Sequence, residues 1–321
     1  MTRPAPLRAP TPESMAGPGE GWVAVSVPAT SANLGPGYDS LGLALDKRDV
    51  VWGRRSDSGV RIEVQGCGAS TVPRTADNLV HRSAQRALAA LDEPLADLEL
   101  LCHNMIPHGG GQGSSAAAIV AGLAVGRALV PDGSMRMSDG DLLDIAAGIE
   151  GHPDNAAPAV LGGFTLSWIE ESGRTRVVRP VVHPEVSVLL FSADRGASTE
   201  MARTLLPDTV PHRDAAMNSR TSALLMYALG HAPELLFEAT HDWLHQRYRA
   251  SAMRPTADLV LRLRDAGFAA TVSGAGPSVL VLLDPRSRRD FDRDAWQVDG
   301  FEVETLAVDT RGLVVGPGAQ A

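Results

Sequence analysis

The chain has 321 residues, 44% of them hydrophobic, and a formal net charge of −9. Its length allows one large or two ordinary domains, its charge argues against general attraction to nucleic acid or an anionic membrane, and no apolar run nears the roughly 20 residues that span a bilayer. The two cysteines, Cys67 and Cys102, form no CxxC pair, which argues against a disulfide framework or a zinc site and fits a reducing cytoplasm.

Residues 1–20 are rich in Pro, Gly and small polar residues and lack the apolar core of a signal peptide, so a disordered lead-in is expected. Val23, Val25 and Val27 alternate and predict a strand that Pro28 ends. Val60, Ile62 and Val64 predict a second strand. The period then turns helical through Leu79, Ala84, Leu88 and Leu91, with Thr75 or Asp77 as the expected cap. A strand over 97–106 leads into glycines and an alanine-rich helix, and Ser138 and Asp141 form a capping box that opens another helix. Residues 162–170 and 176–182 predict a strand pair, and 186–192 a further strand. Three helical segments follow over 213–230, 233–249 and 255–267, then two strands around a glycine turn over 269–283 and a last strand over 301–308. This order lacks strict βαβ alternation and predicts an α+β fold, with a boundary near residue 175. The one lysine, Lys47, is expected at the surface without a role.

Three glycine-bearing stretches stand out. The first, residues 28–45, puts Thr30, Ser31, Asn33, Tyr38 and Asp39 into a turn shaped by Gly35, Pro36 and Gly37, either a wall of a small-molecule site or an ordinary surface turn. The second, "IPHGGGQGSSAAA", joins strand to helix so that backbone N–H groups and the helix dipole converge on an anion. One of Ser114 and Ser115 is expected to cap the helix and the other to offer its hydroxyl to a phosphate-bound cation. A P-loop is excluded, because no lysine is near. Gly111, Gly113 and Ala116 satisfy G-x-G-x-x-A, but a polar loop and another helix follow in place of a strand and acidic residue, so a dinucleotide fold is set aside. The third, "SGAGPSVLVLL" at 273–283, is by itself a hairpin with a tight turn.

In this order and spacing the three stretches resemble the motifs of the GHMP kinase superfamily, over almost the whole chain after residue 21. Residues 150–163, 199–220 and 241–249 resemble its homoserine kinase family in particular. The resemblance implies a two-domain GHMP kinase fold, with a ribosomal-protein-S5-domain-2-like, ATP-binding domain over 21–175 and a ferredoxin-like domain over 176–321. It implies transfer of the γ-phosphoryl group of ATP, with Mg²⁺, to the side-chain hydroxyl of L-homoserine, giving O-phospho-L-homoserine for threonine synthesis. A homodimer is compatible with the resemblance, and neither nucleic acid nor membrane is expected as a partner.

Carried onto this chain, the resemblance makes Pro107, His108, Gly109, Gly110, Gly111, Gln112, Gly113, Ser114, Ser115, Ala116 and Ala117 the phosphate-binding segment, with Asn78 beside adenine. Ser115 and Glu150 would hold Mg²⁺, with Asp144 as the alternative acid. Asn33 and Asp39 would face the amine and hydroxyl of the acceptor, His152 would touch it, and Gly274 and Gly276 would close the third wall. Homoserine is a zwitterion whose carboxylate wants arginine, and Arg203 and Arg249 stand where the family supplies it. Asp154 is a base in other members, direct attack being the alternative. Gln112 replaces a usual leucine, and a buried amide needs partners, so it is expected to face nucleotide or solvent. Two other readings are a GHMP kinase for a related hydroxyl substrate such as L-threonine and a non-catalytic ligand sensor. The presence of Ser114, Ser115, Glu150 and Asp154 disfavours the sensor.

Overall fold

The computed structural model describes residues 21–194, 196 and 199–316; the lead-in expected over 1–20 lies outside them. The elements are β1 (Val23–Ala32), β2 (Leu41–Arg55), β3 (Arg61–Gly66), α1 (Leu79–Ala90), β4 (Leu98–Asn104), α2 (Ser114–Ala128), α3 (Gly133–Arg136), α4 (Asp139–Glu150), α5 (Ala156–Leu161), β5 (Phe164–Ile169) and β6 (Thr175–Val178). Then come β7 (Ser187–Ala193), α6 (Thr199–Thr204), α7 (His212–His231), α8 (Leu236–Ala239), α9 (Gln246–Arg249), α10 (Arg254–Asp265), β8 (Ala269–Val272), β9 (Val279–Leu283), α11 (Pro285–Asp290), β10 (Phe301–Leu306) and β11 (Val314–Val315).

The first sheet runs β11-β1-β2-β4-β3, with β5 on the other half of β2 and β6 beyond it. Pro28 does not end β1. The register shifts between Pro28 and Ala29, so the proline sits at a bulge, where a ladder N–H is not required. The strand of the first motif, which Lys47 is expected to follow, runs on through it as the long β2, and no signal in the sequence predicts the two-residue β11. The cap of α1 is Asn78 rather than Thr75 or Asp77, its Oδ1 accepting from the N–H of Val80. Helix α2 is buried almost all round, between the sheet, α1 and α4. Gly122 and Gly126 permit this: a Cβ on either would strike the backbone carbonyls of Val80 and Ala84 in α1.

The second sheet is antiparallel, in the order β10-β7-β9-β8. Numbered from β7, that is 4-1-3-2, the ferredoxin-like arrangement. Phe191, Leu259, Leu263, Phe268 and Val281 form part of its own core. The helix expected over 233–249 is broken. Asp242 accepts the N–H groups of Leu244, His245 and Gln246, and such local side-chain bonds compete with a continuing helix.

The last described residues return to the first sheet through a buried arginine. Arg48 pairs with Asp309, and its Nη2 donates to the carbonyls of Ser26 and Gly312 at 2.8 and 2.6 Å. Both side chains are 1% exposed. Arg48→Ala leaves the Asp309 carboxylate with Arg311 alone as a charged partner, 3.4 Å away, and should lower stability by about 3–5 kcal/mol in urea unfolding. A loss under about 1 kcal/mol would mean the pair does not anchor the returning chain.

Candidate active site

The glycine loop and the third motif meet backbone to backbone. Gly109, Gly111 and Gly113 have φ of +65°, +72° and +70°, a region that side chains rarely adopt. A Cβ on Gly111 would strike the carbonyl oxygens of Ser273 and Gly276. Ser273 Oγ donates to the carbonyl of Gly111 at 2.6 Å, and the N–H of Thr30 donates to the carbonyl of Gln112 at 3.0 Å. Neither serine caps α2. The N-cap is Gly113 with no side-chain bond, so the first amides of a 15-residue helix stay open. Ser114 and Ser115 stand at the shared wall of two clefts, of about 230 and 130 Å³.

The larger of these two clefts is apolar and lined by Val51, Val64, Val72, Leu79 and Asn78, with His108 at the loop. Asn78 shapes this wall indirectly. Its oxygen caps α1 and its Nδ2 donates to the carbonyl of Pro73 at 2.8 Å. Burial holds the pKa of His108 below the ordinary imidazole range.

The smaller cleft gathers most of the expected polar groups: Asn33, Asp39, Glu150, His152, Asp154, Arg203, Arg249 and Gly274. Gly276 does not line it and instead packs against Gly111 and Met253. Glu150 ends α4, which stops at Gly151 with φ +82°. Ser115 Oγ donates to Glu150 Oε1 at 2.5 Å, two oxygens of the hard type that suits Mg²⁺. The alternative acid, Asp144, is turned elsewhere, accepting the N–H of Thr175 and facing Arg174. Asp154 lies within 2.5 Å of His152 Nδ1. Burial alone would lower the His152 pKa, but the hydrogen bond and charge of Asp154 outweigh it and hold it above the ordinary value.

Both ends of the Asn33 amide are engaged. Its Nδ2 donates to the carbonyl of Gly274 at 2.9 Å and its Oδ1 accepts the N–H of Asp39 at 3.0 Å. It therefore ties the first motif to the third and aims Asp39. The Asp39 carboxylate receives both Nη groups of Arg203, at 3.0 and 2.8 Å. Arg249 is buried, and both guanidiniums lie over the ring of Tyr38, at 5.5 and 5.7 Å from its centre.

Two expectations are corrected behind the loop. Gln112 faces neither nucleotide nor solvent: it is 1% exposed, and its Nε2 donates to Ser192 Oγ at 2.9 Å and Ser278 Oγ at 3.3 Å. Lys47 is not a surface residue. Its side chain is 11% exposed, pairs with Glu304 and donates to Gln112 Oε1 at 3.4 Å. Sequence reasoning required partners for a buried Gln112, and the single lysine supplies one.

The chain matches the family profiles "GHMP kinases N terminal domain" over residues 78–163 and "GHMP kinases C terminal" over 225–300. It is 47% identical over 305 residues to a homoserine kinase of Streptomyces avermitilis, covering 94% of this chain and 99% of that protein. A homoserine kinase of Clavibacter michiganensis is 48% identical over 297 residues, covering 91% and 93%. Among solved structures, a homoserine kinase from Cytophaga hutchinsonii matches with a TM-score of 0.80 at 28% identity, over 92% of this chain and 98% of that one. A mevalonate diphosphate decarboxylase from Staphylococcus aureus shares the fold, with a TM-score of 0.67 at 13% identity over 92% and 97%.

Asp49 was missed as a site residue. It lines the larger cleft, and its Oδ1 accepts the N–H groups of Met105 and Ile106 at 2.6 and 2.9 Å, fixing the entry to the loop. Burial pushes its carboxyl up to about 7 from an ordinary 3.8, against the pull of those two N–H groups. The folded state thus holds a proton that the unfolded chain has lost, and stability falls as pH rises through that window. Asp49→Asn removes this ionisation. Relative to wild type it should gain on the order of 4 kcal/mol between pH 4 and 8, read by urea unfolding at both ends. Parallel pH slopes for the two proteins would contradict the burial of a titrating carboxylate.

Proposed function

The chain belongs to the GHMP kinase family, among its homoserine kinases, and we propose that its two clefts divide one phosphoryl transfer into a nucleotide side and an acceptor side. It is an ATP-dependent kinase that phosphorylates the side-chain hydroxyl of L-homoserine to O-phospho-L-homoserine. The observation that carries the division is the common wall. Ser114 and Ser115, at an uncapped helix N-terminus, line both clefts.

On the nucleotide side, adenine enters the apolar cleft and the triphosphate runs along Gly109–Ser115. Open amides and the helix N-terminus supply the positive potential that a lysine gives elsewhere. Ser115 and Glu150 fit Mg²⁺, which when bound neutralises phosphate charge.

On the acceptor side, Asp39 and Arg203 are paired but 34% and 38% exposed. Such a pair contributes at most about 1 kcal/mol, so a zwitterion separates it at little cost: its ammonium takes Asp39 and its carboxylate takes Arg203 and Arg249. The hydroxyl oxygen then attacks the γ-phosphorus as the bond to ADP breaks. Catalysis rests on this positioning.

The hydroxyl proton passes to Asp154, which is buried and already bonded to His152, or directly to a phosphoryl oxygen. Two unpaired thiols, Cys67 and Cys102, support a cytoplasmic setting.

With Mg-ATP and, separately, L-homoserine, L-threonine, L-serine and mevalonate, ADP should form with L-homoserine, cease on chelation and return with Mg²⁺. Turnover with another acceptor and none with homoserine would refute the assignment. Asp154→Asn separates the proton routes: a fall in kcat of roughly 10²-fold or more marks Asp154 as the base, and a smaller fall at unchanged folding marks direct transfer.

A further inference from the structure

Arg249 ends the four-residue helix α9, and a guanidinium on so short an element needs outside partners to hold one orientation. Two are present. Its Nε donates to the carbonyl of Ala202 at 3.2 Å, and its Nη1 lies 3.2 Å from Nδ1 of His245. His245 is fully buried, and its Nε2 lies 2.8 Å from the carbonyl oxygen of Gly35 in the first glycine motif.

These partners dictate the tautomer. Guanidinium N–H groups only donate and a backbone carbonyl only accepts, so Nδ1 carries the lone pair and Nε2 the proton. We propose that His245, as the neutral Nε2–H imidazole, is a positioning residue for homoserine recognition: it aims Arg249 at the acceptor carboxylate and couples it to the loop that carries Asp39. The proposal rests on the assignment of Arg249 to that carboxylate.

The surroundings favour the neutral ring. Burial holds its pKa below the ordinary range and Arg249 adds to this, against the pull of Asp242 and Asp39. Asp242 is engaged by the N–H groups of Leu244, His245 and Gln246. The Tyr38 ring packs 5.3 Å from the imidazole and separates it from Arg203. With Nε and one N–H of Nη1 engaged, Arg249 keeps its remaining N–H groups for the cleft. A protonated His245 would instead turn an N–H toward a guanidinium, with no acceptor between them.

Asparagine and glutamine distinguish the two ring nitrogens. An asparagine oxygen can take the place of Nδ1 and accept from Arg249, whereas a glutamine amide reaches the place of Nε2 and leaves Arg249 without its acceptor. In steady-state kinetics of the full chain, His245→Gln should raise the homoserine KM about tenfold, the loss expected for one hydrogen bond to a charged group. The ATP KM and kcat should change little, and His245→Asn should restore most of the homoserine KM. Arg249→Ala serves as the reference, raising the homoserine KM by about tenfold or more.

Equal homoserine KM values for His245→Gln and His245→Asn, or ATP and homoserine KM rising together, would overturn the proposal. Unchanged homoserine KM in Arg249→Ala, with homoserine still phosphorylated, would remove the carboxylate assignment beneath it. If circular dichroism shows the His245 variants unfolded, the wild-type enzyme decides. Nitrogen-15 spectra of the His245 ring, assigned through its contact with Tyr38, should show a bare Nδ1 and a protonated Nε2. A proton on Nδ1 at neutral pH would overturn the proposal.

Discussion

A phosphate site without a lysine depends on keeping the first amide groups of one helix free of other partners. In this chain that constraint organises the surrounding structure. Gly113 takes the N-cap position with no side-chain oxygen to offer, and Ser115 turns its hydroxyl to Glu150 instead of back to the helix. Gly111 lets the third motif come close enough for Ser273 to hold the loop carbonyl. The helix itself is held by Gly122 and Gly126 against α1. Gly111 and Gly113 thus admit the third motif and leave the helix N-terminus without a side-chain cap, while Gly122 and Gly126 admit α1.

The same loop bonds to both sheets. Buried Gln112, Ser192 and Ser278 and the part-exposed Lys47 and Glu304 form a polar contact between them, which gives the buried amide its partners. Beside the smaller cleft the junction is made by Asn33 and Gly274, and again by His245 and Gly35. Asp39 is thus carried by one half of the chain and Arg203 and Arg249 by the other, and the two halves are tied together at these contacts. Asp39 and Arg203, half-exposed and paired, can exchange partners cheaply, whereas buried Arg249 is held in one orientation.

Legibility in the sequence followed the range of the interaction. The capping box at Ser138, the strand at 187–193 and the hairpin around 273–278 are local, and their residues announce them. Pro28 misled because a proline at a bulge and a proline at a strand end have the same local signature. The helix over 233–249 misled because its apolar period continues through 240–245 while Asp242 captures the backbone N–H groups.

Through order and spacing the sequence by itself determined the three glycine motifs, and through the resemblance these carry it pointed to the family and to most residues that line the smaller cleft. Tertiary structure decided which atoms remain available. Asn33 and Asn78 prove to have both ends of their amides engaged, buried Gln112 to take Lys47 as a partner, Asp49 to accept the N–H of Ile106, and His245 to face the guanidinium of Arg249. Their partners lie up to more than two hundred residues away in the chain. Hydrogen-bond satisfaction is a property of where chains meet, and no local pattern records it.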